Sequence, residues 1–230
     1  MTAEELVYDI LEIKNAIEDD RDIDELWLLN KINMYRTSFM AQYYALNNEI
    51  PSSWQQRIRK QIVKRVTASD DPAITNSSIV VGKVTLPKIV NLPEDVGLVR
   101  VTGSSGILSF DQIDFDSLML KIHFNEERMG EFGWCSKVGD DLFLWPLIRE
   151  IQAIVVAENP MDVQVFDPST NTLRAMTVTD EYPIDMDIAQ KIVIEILTKD
   201  LQINMQSISD LTNDSQMQLK ILQNANDKKQ

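Results

Sequence analysis

His123 and Cys135 are the single histidine and the single cysteine of this 230-residue chain. Any chemistry based on a nucleophile and a base has to begin with them. A thiol activated by an imidazole needs the two side chains within hydrogen-bond reach. His123 sits in Lys-Ile-His-Phe-Asn, an alternating segment that reads as a strand or the end of one. Cys135 follows Trp134 in a predicted strand, where cysteine usually serves as a small apolar core residue. No nucleophile elbow or related signature surrounds either residue, so the core reading is favoured over catalysis.

Metal chemistry fares no better. One cysteine and one histidine do not supply a structural zinc site. The carboxylates of residues 18–24, 111–116 and 180–187 are candidates for magnesium or calcium, and Asp111, Asp114 and Asp116 are the set a metal-dependent phosphodiesterase would use. None has the calcium-loop spacing, and each falls at a predicted turn or helix start, where acids complement the helix dipole. Gly103-Ser-Ser-Gly106 lacks the lysine and following helix of a phosphate cradle and reads as a hairpin or exposed loop.

One constellation is basic: Arg57, Arg59, Lys60, Lys64 and Arg65, close to Trp54. Such a cluster can grip a phosphate backbone or meet acids of a neighbouring subunit. The chain carries 36 acids against 22 bases, a formal net charge of −14, which argues against sequence-specific nucleic-acid binding and favours the second use. A channel through which DNA slides without sticking is the special case that an acidic protein suits.

These residues depend on the elements that carry them. Thr2 with Glu5 is a capping box, and Leu6, Ile10, Ile13 and Ile17 follow at helical spacing. Asp22 with Glu25 reads as a second box, opening a longer helix to about Leu46 that carries Leu26, Leu29, Ile32, Phe39 and Tyr43. The two helices are expected to fold back as a hairpin, ended by Glu49-Ile-Pro51. Residues 54–66 fit either a helix stripe or alternation, and we prefer a strand. Short β-branched and aromatic runs then predict strands at 79–84, 98–101, 130–137, 142–145 and 151–157, with Lys137-Val-Gly-Asp-Asp141 as a tight turn. A short helix is expected from Asp111, as its cap, to Lys121. From Tyr182 a final helix carries Ile188, Ile192, Ile196 and Leu201, broadened by Val193 and Leu197. Ser209 or Asp210 reads as a further cap, 214–222 as a last short helix and 224–230 as a polar tail. The expected organisation is α+β: a helical hairpin over 1–50, a mainly antiparallel β-rich lobe over 51–180, and C-terminal helices over 181–223 that bundle with the hairpin.

Apolar residues make up 44% of the chain, enough for a sizeable core, and no run is long enough to span a bilayer. The acidic start is unlike a signal peptide, and a lone cysteine fits a reducing compartment. Four tryptophans and ten methionines exceed what catalysis needs and are types enriched at subunit contacts.

The order of elements, with Leu86-Pro-Lys-Ile-Val-Asn-Leu-Pro93, Gly97-Leu-Val-Arg-Val101, Ala157-Glu-Asn-Pro160 and the closing Asp210-Leu211-Thr212-Asn213-Asp214, resembles the head-to-tail adaptor or ring proteins of short-tailed bacteriophages, most of all the tail ring proteins of crAss-like phages. The similarity covers most of the chain and departs between Ser104 and Phe124. It implies a structural virion protein, assembled in the host cytoplasm and placed at the head–tail junction, with no catalytic, cofactor or metal residues to carry over. Its partners would be further copies of itself in a ring, expected of twelve, then the portal protein, other tail proteins and genomic DNA passing non-specifically through the lumen. The basic cluster and residues 210–214 are the expected contacts. The competing readings are another virion position, such as a lower tail ring or capsid accessory protein, and the phosphodiesterase.

Overall fold

The computed structural model describes residues 1–17, 23–92, 96–124, 132–167, 169–170 and 172–202. Two compact units divide the chain: Met1–Arg36 with the chain from Met186 onward, and Thr37–Asp185. The architecture is mixed α+β, with a large curled sheet and, among the described residues, four α-helices.

In the first unit, α1 (Ala3–Ile17) starts at the capping box expected from sequence. The Thr2 amide donates to Glu5 Oε2 at 2.7 Å, and the Glu5 amide donates to Thr2 Oγ1 at 3.1 Å. Leu6, Val7 and Ile10 are buried; the side chain of Ile17 lies outside the described ones. Helix α2 (Glu25–Asn47) is capped by Asp24, whose carboxylate accepts the Leu26 amide at 3.0 Å. The expected cap Asp22 lies outside the described residues. Leu26 is no core residue, at 68% exposed. The buried stripe is Leu28, Ile32, Arg36 and Met40, a strict four-residue spacing. Helix α4 (Met186–Glu195) buries Ile188, Ala189 and Ile192, and a single π turn at Ile196–Asp200 buries Ile196 and Leu197. Helix α1 packs against both. Lys31 pairs with Asp200, and burial, with a hydrogen bond to the same carboxylate, pushes the Tyr35 phenol up to about 12. The features expected beyond residue 202 lie outside the described residues.

The second unit takes in the end of α2, from Thr37 onward. Asn48 adopts a left-handed φ of 52° and its amide donates to the Tyr44 carbonyl at 2.8 Å, a C-terminal closure just ahead of Pro51. Trp54 is buried in a short 3-10 turn, edge-on to Tyr43, and its indole N–H donates to Asp185 at 2.7 Å. The ambiguous segment that follows is extended, as preferred: β1 (Gln56–Ile62) and β2 (Lys64–Thr67). They join β3 (Val80–Thr85), β4 (Leu98–Gly103), β5 (Ser109–Gln112), β6 (Phe132–Val138), β7 (Asp141–Trp145) and β8 (Glu150–Val155) in one sheet, ordered β1-β8-β4-β5-β6-β7-β3-β2. Every pairing is antiparallel except β5 with β6. The two edge strands are consecutive in the chain, joined through Val63, whose amide donates to the Arg149 carbonyl at 3.0 Å. The sheet therefore curls until its edges nearly meet.

Alternation along the strands sorts side chains onto two faces. Ile58, Val84, Val101, Phe110, Cys135, Leu142, Leu144, Ala153 and Val155 fill the inside of the curl. Val81, Trp134 and Phe143 point outward and are covered by Leu118 and Ile122 of α3 (Phe115–His123) and by Ile74 and Ile79. The predicted tight turn holds: Gly139, at φ 62°, takes the first central position of a two-residue hairpin between Val138 and Asp141, as a type II′ turn requires.

Two expectations are corrected, and one element lies beyond what the sequence showed. Asp111 is a β5 residue, and the α3 cap is Asp114, whose carboxylate accepts the Ser117 amide at 2.8 Å. His123 closes α3 and belongs to no strand. The strands β9 (Gln164–Asp167) and β10 (Thr172–Ala175) form a separate hairpin that sequence reasoning missed.

Candidate interaction surface

The geometry separates the residues weighed for catalysis. Cys135 faces the inner core, whereas His123 is exposed at the end of α3, which covers the outer face. Burial, with the nearby Asp111 carboxylate, pushes the Cys135 thiol up to about 12, which leaves it protonated and inert. The His123 ring meets Asn76 at 3.2 Å. Asp111 points out of a strand, and Asp114 is committed to its cap, which holds its carboxyl below the usual range. Among the described residues, no three His, Cys, Asp or Glu side chains come together to hold a metal ion.

Asp180 and Asp185 are structural as well. Arg174 grips Asp180 with two bonds of 2.6 and 2.7 Å, holding that carboxyl well below its ordinary range. Ser53 and Trp54 hold Asp185. Lys83 bridges Asp71 and Asp141, and both carboxyls are lowered while the ammonium is raised, chiefly through those hydrogen bonds.

The basic cluster is distributed by the strands it lies on. Register shifts between Ile58 and Gln61, where Lys60 takes a φ of 54°, turning Arg59 and Lys60 toward the β9–β10 hairpin. Their cationic heads lie 5.4 and 5.2 Å from the Phe166 ring. Lys60 and Lys64 also line a cleft of about 630 Å³ where β1 and β2 diverge, together with Lys83 and with Ile62, which is 71% exposed. Arg65 is exposed on β2 opposite Gly82. Arg57 stands apart from the rest. It lines a smaller cleft, about 180 Å³, with Arg100, Thr102 and Gln152.

Arg100 is the functional candidate missed from sequence. It is the only charge in Leu98-Val-Arg-Val101, and its closeness to Arg57 depends on a register across β8 that no local pattern encodes. A third cleft, about 880 Å³, opens between the end of α2 and the start of α3, with Tyr44, Glu49, Asp114 and Lys137 on its walls. Residues Asp210, Leu211, Thr212, Asn213 and Asp214 lie outside the described residues.

The exposed cations of β1, β2 and β4 are thus divided among separate clefts. The family model described as phage tail ring protein 2 matches residues 5–228. No curated protein matches the chain.

Proposed function

This chain belongs to the crAss-like phage tail ring proteins, and from that membership we propose that it is a structural virion subunit that closes side to side into a ring, with no bond-making step of its own. In this reading the ring lies beneath the portal as a head-to-tail connector, forms part of the DNA channel and docks further tail proteins. Helices from the two chain ends bundle, the sheet unit is free to meet other tail components, and residues 210–214 dock a neighbouring ring protein.

The single observation that carries the reading is the family match over residues 5–228, which leaves little of the chain for any other module. Physical chemistry supports it at two points. Helix α2 carries apolar residues beyond its buried stripe: Leu28, Ile32 and Met40 are buried, while Leu26, Trp27, Met34 and Leu46 reach the surface, where a partner could cover them. A net charge of −14 suits a lumen that must let DNA slide.

Imaging purified virions at side-chain detail tests the proposal. The expected result is a closed ring of this chain around the DNA axis next to the portal. Copies found singly, or no copies in the particle, would refute it.

A further inference from the structure

Ion pairs consume many of the charged side chains: Lys31 with Asp200, Lys83 with Asp71 and Asp141, Lys88 with Glu158, Arg174 with Asp180, and Lys199 with Glu195. Two arrays stand outside this pattern. The side chains of Arg57 and Arg100 form neither an ion pair nor a hydrogen bond among the described residues, and the same holds for the side chains of Glu4, Asp9 and Glu12.

The first array lies on the large sheet. Arg57 on β1 and Arg100 on β4 both pair with Ile154 of β8. All three side chains therefore leave the same face of the sheet, while their neighbours Ile58, Val101 and Ala153 enter the inner core. Two interstrand spacings put the arginine Cα atoms about 10 Å apart, with Ile154 between them. The second array lies on α1. Leu6, Val7 and Ile10 bury one side of the helix, and Glu4, Tyr8 and Glu12 form a single stripe on the other, with Asp9 beside it. Eight helical residues rise about 12 Å. Tyr8, midway along the stripe, is 68% exposed. Each array is two like charges flanking one apolar residue; the lengths match within side-chain reach and the signs are opposite.

Resting on the ring reading above, we propose that α1 of one copy docks across the outer face of β1, β8 and β4 of the next, placing Glu4 and Glu12 on Arg57 and Arg100 and Tyr8 over Ile154. Guanidinium forks receive carboxylates in this geometry with two parallel bonds each. The contact uses two different faces of the chain, so it repeats head to tail, as a ring requires.

Sedimentation velocity on the full-length chain tests the assignment with two variants, R57E/R100E and E4K/E12K. Each should weaken self-association at about 50 mM salt by tenfold or more. Thermal melts followed by circular dichroism should stay at the wild-type midpoint, because all four side chains are exposed. An equimolar mixture of the two variants should regain assembly, since each reversed face then meets a reversed complement. Variants that associate like wild type overturn the inference, and so does a mixture that is not rescued. Either result leaves the ring reading standing, because the virion image decides that separately. A wild-type chain that remains monomeric at about 100 μM and low salt also overturns the docking, and the ring reading again rests on the image.

Discussion

Replacing Lys83 with methionine keeps most of the aliphatic stem and removes only the ammonium. In the native chain that ammonium joins Asp71, on the turn after β2, to Asp141 at the start of β7, bonding the latter at 2.8 Å. Asp71 also accepts the Ala73 amide at 2.9 Å, and Asp141 accepts the Thr85 hydroxyl at 2.7 Å, so both carboxylates are held in place when the cation is gone. The side chains of Lys83, Asp71 and Asp141 are 23%, 10% and 31% exposed. That places the triad between a surface pair, worth about 0–1 kcal/mol, and a buried one, where losing a partner costs about 3–5 kcal/mol. A loss of about 2 kcal/mol follows, or roughly 4–8 °C in melting midpoint for a chain of this size. The pH dependence carries the sharper signature. Asp71 and Asp141 have lowered pKa values, so their contribution is present above about pH 4 and is lost as pH falls through the folded values. Lys83 has a raised value, so its contribution is present below its ordinary value of 10.5 and is lost as pH rises through the folded one. Urea denaturation of wild type and K83M at about pH 3, 7 and 11 should show the full penalty only at the middle value. An equal penalty at pH 3 and 7 would refute the triad as the source of the loss.

Two further outcomes follow from the packing. Cys135 should not react with a thiol reagent in the folded chain at neutral pH and should react stoichiometrically in denaturant; labelling of the native protein at the unfolded rate would contradict its burial. Alanine at Gly133 places a Cβ 2.7 Å from the Trp145 carbonyl, whereas at Gly82 the close atoms are Val63 Cγ1 and Leu144 Cδ1 at 2.7 and 2.8 Å. Side chains yield more readily than backbone, so G133A should lose about 2–3 kcal/mol and G82A about 1 kcal/mol on denaturant unfolding, and the reverse order would refute the argument.

What could be read from the residues was governed by the range of the interaction. The Thr2–Glu5 box and the Gly139 turn are local, and both stand where the spacing put them. The extended segment after Trp54 was readable because Ile58 alternates with exposed cations. Helix α3 was shifted by three residues because Asp111 and Asp114 are equally good caps in isolation; the β5–β6 pairing decides between them. His123 looked like strand because Lys-Ile-His alternates, although Leu118 and Ile122 already sit four apart, as a buried helix face demands. Leu26 falls on the helical spacing of the apolar positions after it, yet it is exposed and the neighbouring Leu28 is the buried residue. The β9–β10 hairpin contains too few β-branched residues to announce itself. At the candidate surface, five cations adjacent in sequence read as one patch. Strand alternation, the bulge at Lys60 and the pairing of Arg57 with β8 divide them into different neighbourhoods. Arg100, the partner that matters most, is brought in from 43 positions further along the chain by that same register.

Val63 acts as a clasp between the two edge strands. Strand margins with unmet amides and carbonyls are where one protein's sheet can graft itself onto another's, a hazard for any component produced in bulk before it is assembled. Here the two margins of the large sheet meet at one corner, through one residue, and Gln164 and Leu173 of the small hairpin line the cleft that opens between them. The corner itself is closed, and Lys60 and Lys64 on either side of it are the kind of residue that discourages a stray strand from joining the rest of each margin.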